Sequence, residues 1–302
     1  MSDSPRTLTI GFDGGGTGCR AAVGTQTQGI LGIAQGGSAN SATNPDLTIK
    51  NIVSTITAAA GEAGINADVL NQSIAHLGLA GVMTAEDASR VAAALPYETC
   101  IVTDDRLTAV TGALGHADGF LISAGTGTFL AAKQAADIRY IGGWGFGLGD
   151  QGAGAWLGRN ALERVLLCHD GLISHSDLTR HLFAEFSNDP YAISADSTFA
   201  EPKVFAAFAP TIVEAAKSGD THGKAIMTQG AKYFADGLVQ LGFQPGDKLC
   251  LTGGLGPQYA SFLPPEFLQH RVDPKGSALD GAFQLASRAA NQVPRKASHE
   301  HH

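Results

Sequence analysis

IGFDGGGTGCRAAV, residues 10–23, decides how the rest of the chain is read. An apolar run ends in Asp13, Gly14, Gly15, Gly16 and Thr17 follow, and after Arg20 a second apolar run begins. The pattern predicts strands over 7–12 and 19–25 joined by a turn. A hairpin turn with φ > 0 needs one or two glycines, not three. Extra glycines remove Cβ atoms, so a ligand can approach the backbone closely. Successive N–H groups in such a turn form a concave nest for anions, phosphate among them. Thr17 adds a hydroxyl donor. The turn is not a P-loop, because no Gly-Lys-Ser/Thr follows. Nor is it a Rossmann fingerprint, because a strand follows instead of a helix.

Outward from that turn, strands alternate with helices. A third strand is expected over 29–35. A helix is expected over 45–63, with Ile49, Ile52, Val53 and Ile56 on one face. Then come a strand over 73–79, a helix over 85–95, a strand over 99–103 and a helix over 104–114. After Gly115 the pattern restarts with a strand over 120–123, the turn AGTGT (124–128), and strands over 129–133 and 138–141. The loop GGWGFGLGDQG (142–152) leads into a helix over 153–168, and three more helical segments fill 175–243. In the last of these Ile226, Gly230, Phe234, Leu238 and Leu241 share a face, and Asp220 can cap its start. A buried strand over 248–251 runs into TGGLG, and a helix over 276–289 closes the chain.

This is an α/β chain. It carries a weak internal repeat, strand–Gly/Thr turn–strand, at Asp13–Thr17 and again at Gly125–Thr128. Two domains are expected, 1–115 and 116–302, with the final helix 276–289 a candidate to pack back on the first. The two turns would meet in a cleft between the domains.

The 302 residues are 44% hydrophobic, 16% charged and 7% aromatic, with 39 glycines, which suits many tight strand-to-helix turns. A net charge of −8 argues against a nucleic-acid partner, which needs clustered Lys and Arg. Cys19, Cys100, Cys168 and Cys250 are scattered, without metal-site spacing, and read as reduced thiols of a cytoplasmic protein. The start, MSDSPR, lacks the apolar core of a signal peptide. The longest apolar region, 109–132, is interrupted by His116 and Asp118, so no membrane span is expected.

Two acids stand out. Asp13 is either an Asp-Gly turn residue or a carboxylate holding hydrated Mg²⁺ against phosphates. Asp104, in IVTDDRLTAV, is either the N-cap of the next helix or a general base that takes a proton from an attacking hydroxyl. Asp105 beside it is expected to face solvent or to be the actual cap.

DGGGTGCR, VTDDRLTAVTGAL, ISAGTGT, GGWGFGLGDQGAGAWLGR, LTGGLG and GSALDGAF occur in that order. The set resembles the N-acetylglucosamine kinase and glucosamine kinase family, which is grouped with the benzoyl-CoA reductase activator ATPases in the actin-like sugar-kinase superfamily. The match runs from residue 8 to about 287, and the long glycine loop is its most specific piece. The resemblance implies two actin-like (ribonuclease H-like) domains with an ATP cleft between them.

It implies that Asp13, Gly14, Gly15, Gly16, Thr17 and Arg20, with Gly125, Thr126, Gly127 and Thr128, hold the phosphates, that Asp13 serves Mg²⁺, and that Gly253 and Gly254 line the adenosine site. Asp104 matches the catalytic base. Asn40, Asp104, Trp144, Asp150 and Gln151, with Thr126 and Gly127 nearby, match the sugar pocket. Trp144 reads equally as a core residue, and Asp150 as a helix cap. Many members carry Glu where this chain has Gln151, which leaves open whether the pocket takes a charged amine or a neutral acetamide. The implied reaction is transfer of the ATP γ-phosphate to the 6-hydroxyl of an amino sugar, in a homodimer.

Two rivals stay open. An activator-type ATPase would need thiolates for an iron–sulfur cluster. A non-catalytic sugar or nucleotide sensor would share the fold. A DNA-binding regulator would need a module ahead of the first strand, where only about six residues are expected.

Overall fold

The computed structural model describes residues 7–292, so the reading of MSDSPR lies outside the described residues. The chain divides into two compact units. One runs up to Gly115 and resumes at Lys275, and the other spans His116–Pro274.

The first unit is built on a five-stranded sheet of β1 (Leu8–Gly14), β2 (Cys19–Thr25), β3 (Gly29–Gly36), β4 (Ile74–Leu79) and β5 (Thr99–Asp104), in the order β3-β2-β1-β4-β5. The meander β1–β2–β3 is antiparallel, and β4 and β5 run parallel to β1. Alternation along β1 assigns its faces. Ile10 and Phe12 join Leu77, Ile52 and Ile56 in one core that takes in α1 (Pro45–Glu62) and α2 (Ala85–Ala93). Gly11 faces α10 (Ala278–Gln292), whose Phe283 backbone would lie 2.5 Å from any Cβ there. The same close approach recurs where α10 crosses α3 (Asp105–Leu114): a Cβ on Gly281 would meet the Thr108 carbonyl oxygen at 2.0 Å. The final helix therefore belongs with the first unit, and 116–302 is not one body.

The second unit repeats the plan. Its strands are β6 (Gly119–Ala124), β7 (Thr128–Gln134), β8 (Asp137–Gly142), β9 (Leu249–Thr252) and β10 (Arg271–Val272), in the order β10-β9-β6-β7-β8. The meander is again antiparallel, and the two later strands are again parallel to the first. One face packs Phe120, Ile122, Leu130 and Leu251 against α4 (Gly154–His169) and α9 (Thr221–Gln240). Phe234 of α9 meets Tyr259 edge-on at 4.6 Å. Asp220 caps α9 by accepting from the N–H groups of His222 and Gly223.

Between α4 and α9 the chain forms four helices, α5 (Asp177–Glu185), α6 (Pro190–Ser197), α7 (Pro202–Ala206) and α8 (Ala209–Lys217), so 175–243 holds five helices where three were expected. Pro190, Pro202 and Pro210 each lie in the first turn of a helix, and Ser187 and Asn188 have φ of +56° and +58°. Proline fits the first turn, where its missing N–H costs nothing, and it stops the helix before it. The two-residue strand β10 was not expected, being too short to show a period. No helix among the described residues is long and apolar enough to cross a membrane.

Candidate active site

The chemistry-bearing residues gather at one end of each sheet. In the first unit the turn after β1 is tied to two neighbouring segments. Ala39 N–H donates to Gly15 O at 2.9 Å, Ala80 N–H to Gly14 O at 2.8 Å, and Ser41 N–H to Ala80 O at 3.1 Å. These bonds bring Asn40 beside the turn, with its amide nitrogen 4.0 Å from the place a Gly16 Cβ would take. Asn40 Oδ1 accepts from Ala42 N–H at 3.0 Å, which fixes the side chain's direction. Gly15 and Gly16 have φ outside the positive range, and a Cβ on either would touch nothing closer than 3.5 Å. The fold does not require glycine at these two places; close approach of a ligand to the backbone would.

Asp13 lies opposite Arg20 in the β1–β2 ladder and is ion-paired with it at 2.6 Å. At the end of β5 Asp104 takes one of its two expected places and Asp105 neither of its own. Asp104 is the N-cap: its Oδ1 accepts from Arg106 N–H at 2.9 Å and Leu107 N–H at 3.3 Å, and its Oδ2 from Arg106 Nη2 at 2.8 Å. Asp105 is neither the cap nor solvent-facing. It is the first residue of α3 and only partly exposed. Burial pushes its pKa up to about 6, helped by the negative charges of Asp104 and Asp13 and opposed by Arg106. Behind the junction, buried His76 meets Thr103 Oγ1 at 3.2 Å, and Thr103 donates to the Asp104 carbonyl oxygen at 3.0 Å. Desolvation drops the His76 pKa to about 4, so the ring is neutral.

In the second unit the turn 124–128 is packed from several sides. Gly154 N–H donates to Gly125 O at 2.8 Å and Ala155 N–H to Thr126 O at 3.3 Å, so the start of α4 is satisfied by the turn's carbonyls. Leu255 N–H donates to Ala124 O at 2.9 Å. Gly253 has φ +77°, and its Cβ would lie 2.2 Å from the same carbonyl. Asp150 is buried in a left-handed conformation (φ +59°). Its Oδ1 accepts from Thr128 N–H at 3.1 Å, and α4 has no side-chain cap, so Asp150 is not a helix cap. Desolvation raises its pKa, and the Thr128 bond pulls the other way.

Thr128 spends both its donors inside the unit, because its hydroxyl donates to Ser123 O at 3.2 Å. Its hydroxyl is thus engaged within the unit, whereas Thr126 is partly exposed. Trp144 is 71% exposed and is no core residue. Its loop is anchored instead by Phe146, whose ring lies 5.1 Å from Phe205 and under the Arg159 guanidinium. Gln151 is partly exposed beside Asp150, and Gly254 borders open space.

The sequence reading gave Asp105 no functional role, because its burial beside Asp104 and Asp13 is made only by the fold.

No group of three or more His, Cys, Asp or Glu side chains among the described residues could hold a metal. Asp13 fits Mg²⁺ only as a single carboxylate, the arrangement expected when phosphates supply the other ligands. Burial holds Cys100 as a thiol with pKa pushed up to about 12, and Cys250 to about 11. Neither is a ready thiolate ligand.

A curated glucosamine kinase from Vibrio cholerae, GspK, is 30% identical over 285 residues, covering 94% of this chain and 97% of its own. A solved Chromobacterium violaceum protein, provisionally named an N-acetylglucosamine kinase, superposes with a TM-score of 0.87 at 32% identity, covering 93% of this chain and 99% of that one. The fold, at 18% identity and TM-score 0.57, is shared by a ROK family glucokinase from Streptomyces griseus solved with glucose and AMPPNP, over 95% of this chain and all of that one. The model of the BadF/BadG/BcrA/BcrD ATPase family matches residues 10–272, and the chain belongs to that family.

Proposed function

We propose that the chain is an ATP-dependent amino-sugar kinase that transfers the γ-phosphoryl group to the 6-hydroxyl of glucosamine or N-acetylglucosamine. The observation that carries the chemistry is the β5–α3 junction. Asp104 is spent on the helix cap and Arg106, while Asp105 keeps a partly desolvated carboxylate that feels the Arg106 charge but, among the described residues, is seen in no side-chain hydrogen bond. Asp105 therefore takes the role of base that the sequence reading gave to Asp104, which becomes the residue that positions it. A base with a pKa near the working pH is suited to the task. Its carboxylate takes the hydroxyl proton as the new O–P bond forms and ADP leaves.

The family likeness supports the remaining roles. Gly14, Gly15, Gly16, Thr17 and Arg20, with Gly125, Thr126 and Gly127, serve the phosphates, and Gly253 and Gly254 serve adenosine. Thr128 supports the turn from within. Asn40, Trp144, Asp150 and Gln151 serve the sugar, whose hydroxyls need partners because each unpaired buried polar group costs about 1–3 kcal/mol. Mg²⁺, held with the help of Asp13, would supply charge stabilisation at the phosphates. A homodimer in the cytoplasm is proposed on the family resemblance alone.

The test is a coupled ADP-release assay with Mg·ATP and glucosamine, N-acetylglucosamine, glucose or no sugar, run from pH 5 to 8. Sugar-dependent release is expected, with kcat rising through about pH 6 as Asp105 ionises and level above. Release without sugar dependence would sink the kinase reading. The better amino sugar decides what Gln151 admits at the 2-position.

A further inference from the structure

Tyr233 lies on α9, outside every motif that brought the site to notice. Its ring packs beside Phe234, and the residue is partly exposed. The phenol oxygen reaches the sheet end where the second turn sits. A Cβ built on Gly142 would lie 2.9 Å from that oxygen and 3.4 Å from the Thr128 carbonyl oxygen. Gly142 is paired with Phe129 in the β7–β8 ladder, and Gly143 N–H donates to Thr128 O at 2.9 Å. Tyr233, Gly142, Thr128 and Asp150 thus form one cluster, since Asp150 accepts from Thr128 N–H. Among the described residues the phenol makes no hydrogen bond.

We infer that the Tyr233 hydroxyl is a further substrate contact, donating to a ring hydroxyl of the sugar held at Asp150. The inference rests on the amino-sugar kinase reading. The chemistry selects a neutral polyol over a phosphate. A phenol donor beside a carboxylate acceptor matches a hydroxyl, which can accept from one and donate to the other. An anion would meet the charge of Asp150. Burial raises the phenol's pKa and the charge of Asp150 adds to it, so Tyr233 stays protonated and keeps an O–H to donate to such a partner. Phosphate contacts, by contrast, are made best by cations and backbone N–H groups, which the turns provide.

Tyr233→Phe removes one oxygen and keeps the ring on Phe234. Steady-state kinetics of the whole protein should show the amino-sugar KM raised roughly 3- to 15-fold, the loss of one neutral hydrogen bond, with the ATP KM within about twofold of native. A merely structural role would move both constants or the melting temperature. Deoxy analogues sharpen the assignment: for the analogue lacking the contacted hydroxyl, native and Tyr233→Phe proteins should have equal KM. If native protein releases ADP on sugar and Tyr233→Phe leaves the sugar KM unchanged, or raises only the ATP KM, the inference is overturned and the proposed function stands. No sugar-dependent release from native protein overturns both.

Discussion

The turn after β1 and the turn after β6 occupy the same place in the same five-strand order, yet they are held to different degrees. The first is tied at its flanks, through Gly14 and Gly15; Gly14 is packed against Leu79 and Ala39, and a Cβ on Gly15 or Gly16 would touch nothing closer than 3.5 Å. The second is braced on more sides, by the start of α4, Asp150, Leu255 and the backbone at Gly253, although Gly125 borders open space and Gly127 is exposed. Charge follows the same division. Beside the first turn stand three carboxylates and two arginines, and two of the acids are paired off, leaving Asp105. At the second, Asp150 accepts a backbone N–H and the nearby phenol stays neutral. The repeated topology thus keeps one backbone plan while the charged side chains gather at the first turn and the bracing backbone bonds at the second.

The largest effect that could break this comparison is at the two neighbouring aspartates. Asp105→Asn should lower kcat by about 10²- to 10⁴-fold, the usual contribution of a general base. It should also stabilise the fold at neutral pH. The folded pKa is raised to about 6 from 3.8, so the unfolded chain loses this proton first, and the ionised group penalises the native state increasingly between those values and fully above them. Removing the charge relieves up to about 3 kcal/mol at pH 7, at 1.36 kcal/mol per unit, and nothing near pH 3. Asp104→Ala should do the reverse to stability, losing the cap and the Arg106 pair at a cost of about 1–2 kcal/mol, with a kcat at least tenfold above that of Asp105→Asn. Denaturant melts at pH 3 and 7 with single-turnover rates check both. If Asp104→Ala proves the slower enzyme, the base is Asp104.

The next effect separates the turns directly. Gly253→Ala puts a Cβ into the Ala124 carbonyl at 2.2 Å, at a φ that favours glycine, and nothing flexible can yield because the atoms it meets, in Ala124 and Gly125, are backbone. A loss of about 2–4 kcal/mol is expected at this brace of the second turn. Gly15→Ala meets only the Gly18 carbonyl oxygen at 3.5 Å and should leave stability within about 0.5 kcal/mol. Its ATP KM should nonetheless rise about tenfold or more, because the added methyl occupies the space kept for close approach. Calorimetric melting and ATP titration read the contrast. Equal stability losses would mean that the two turns are built alike.

Much of this arrangement was legible in the sequence. Strand periodicity with turn glycines gave both meanders, and the repeat of Gly/Thr turns anticipated the shared strand order, because these signals are local. Asp105 was expected to cap α3 or face solvent, and it does neither because burial beside Asp13 and Asp104 is made by the fold. The inward turn of the Thr128 hydroxyl to Ser123 was illegible for a similar reason, since nothing local distinguishes it from Thr126. Tyr233 was invisible, since its relation to Gly142 spans about 90 residues and is made only when α9 packs against the sheet. The split at α10 was only half legible, because the small residues Gly11, Gly112 and Gly281 announce a close approach without naming the partner.

The smallest expected effect lies at Arg20, and it tests whether the charges at the first turn act as one group. Arg20 is 43% exposed, so its pair with Asp13 should contribute less than about 1 kcal/mol to stability. Its electrostatic influence should still register. Asp13 raises the Asp105 pKa, and Arg20 offsets the charge of Asp13. Arg20→Gln leaves that charge uncompensated, so proton loss from Asp105 becomes harder. The rising limb of the kcat–pH profile should therefore move to higher pH, by less than about one unit, and the shift should shrink as salt screens the interaction. A limb that stays at the native pH at low salt would mean that Asp13 and Arg20 act on the nucleotide alone and that the base is tuned only by its own burial and by Asp104 and Arg106.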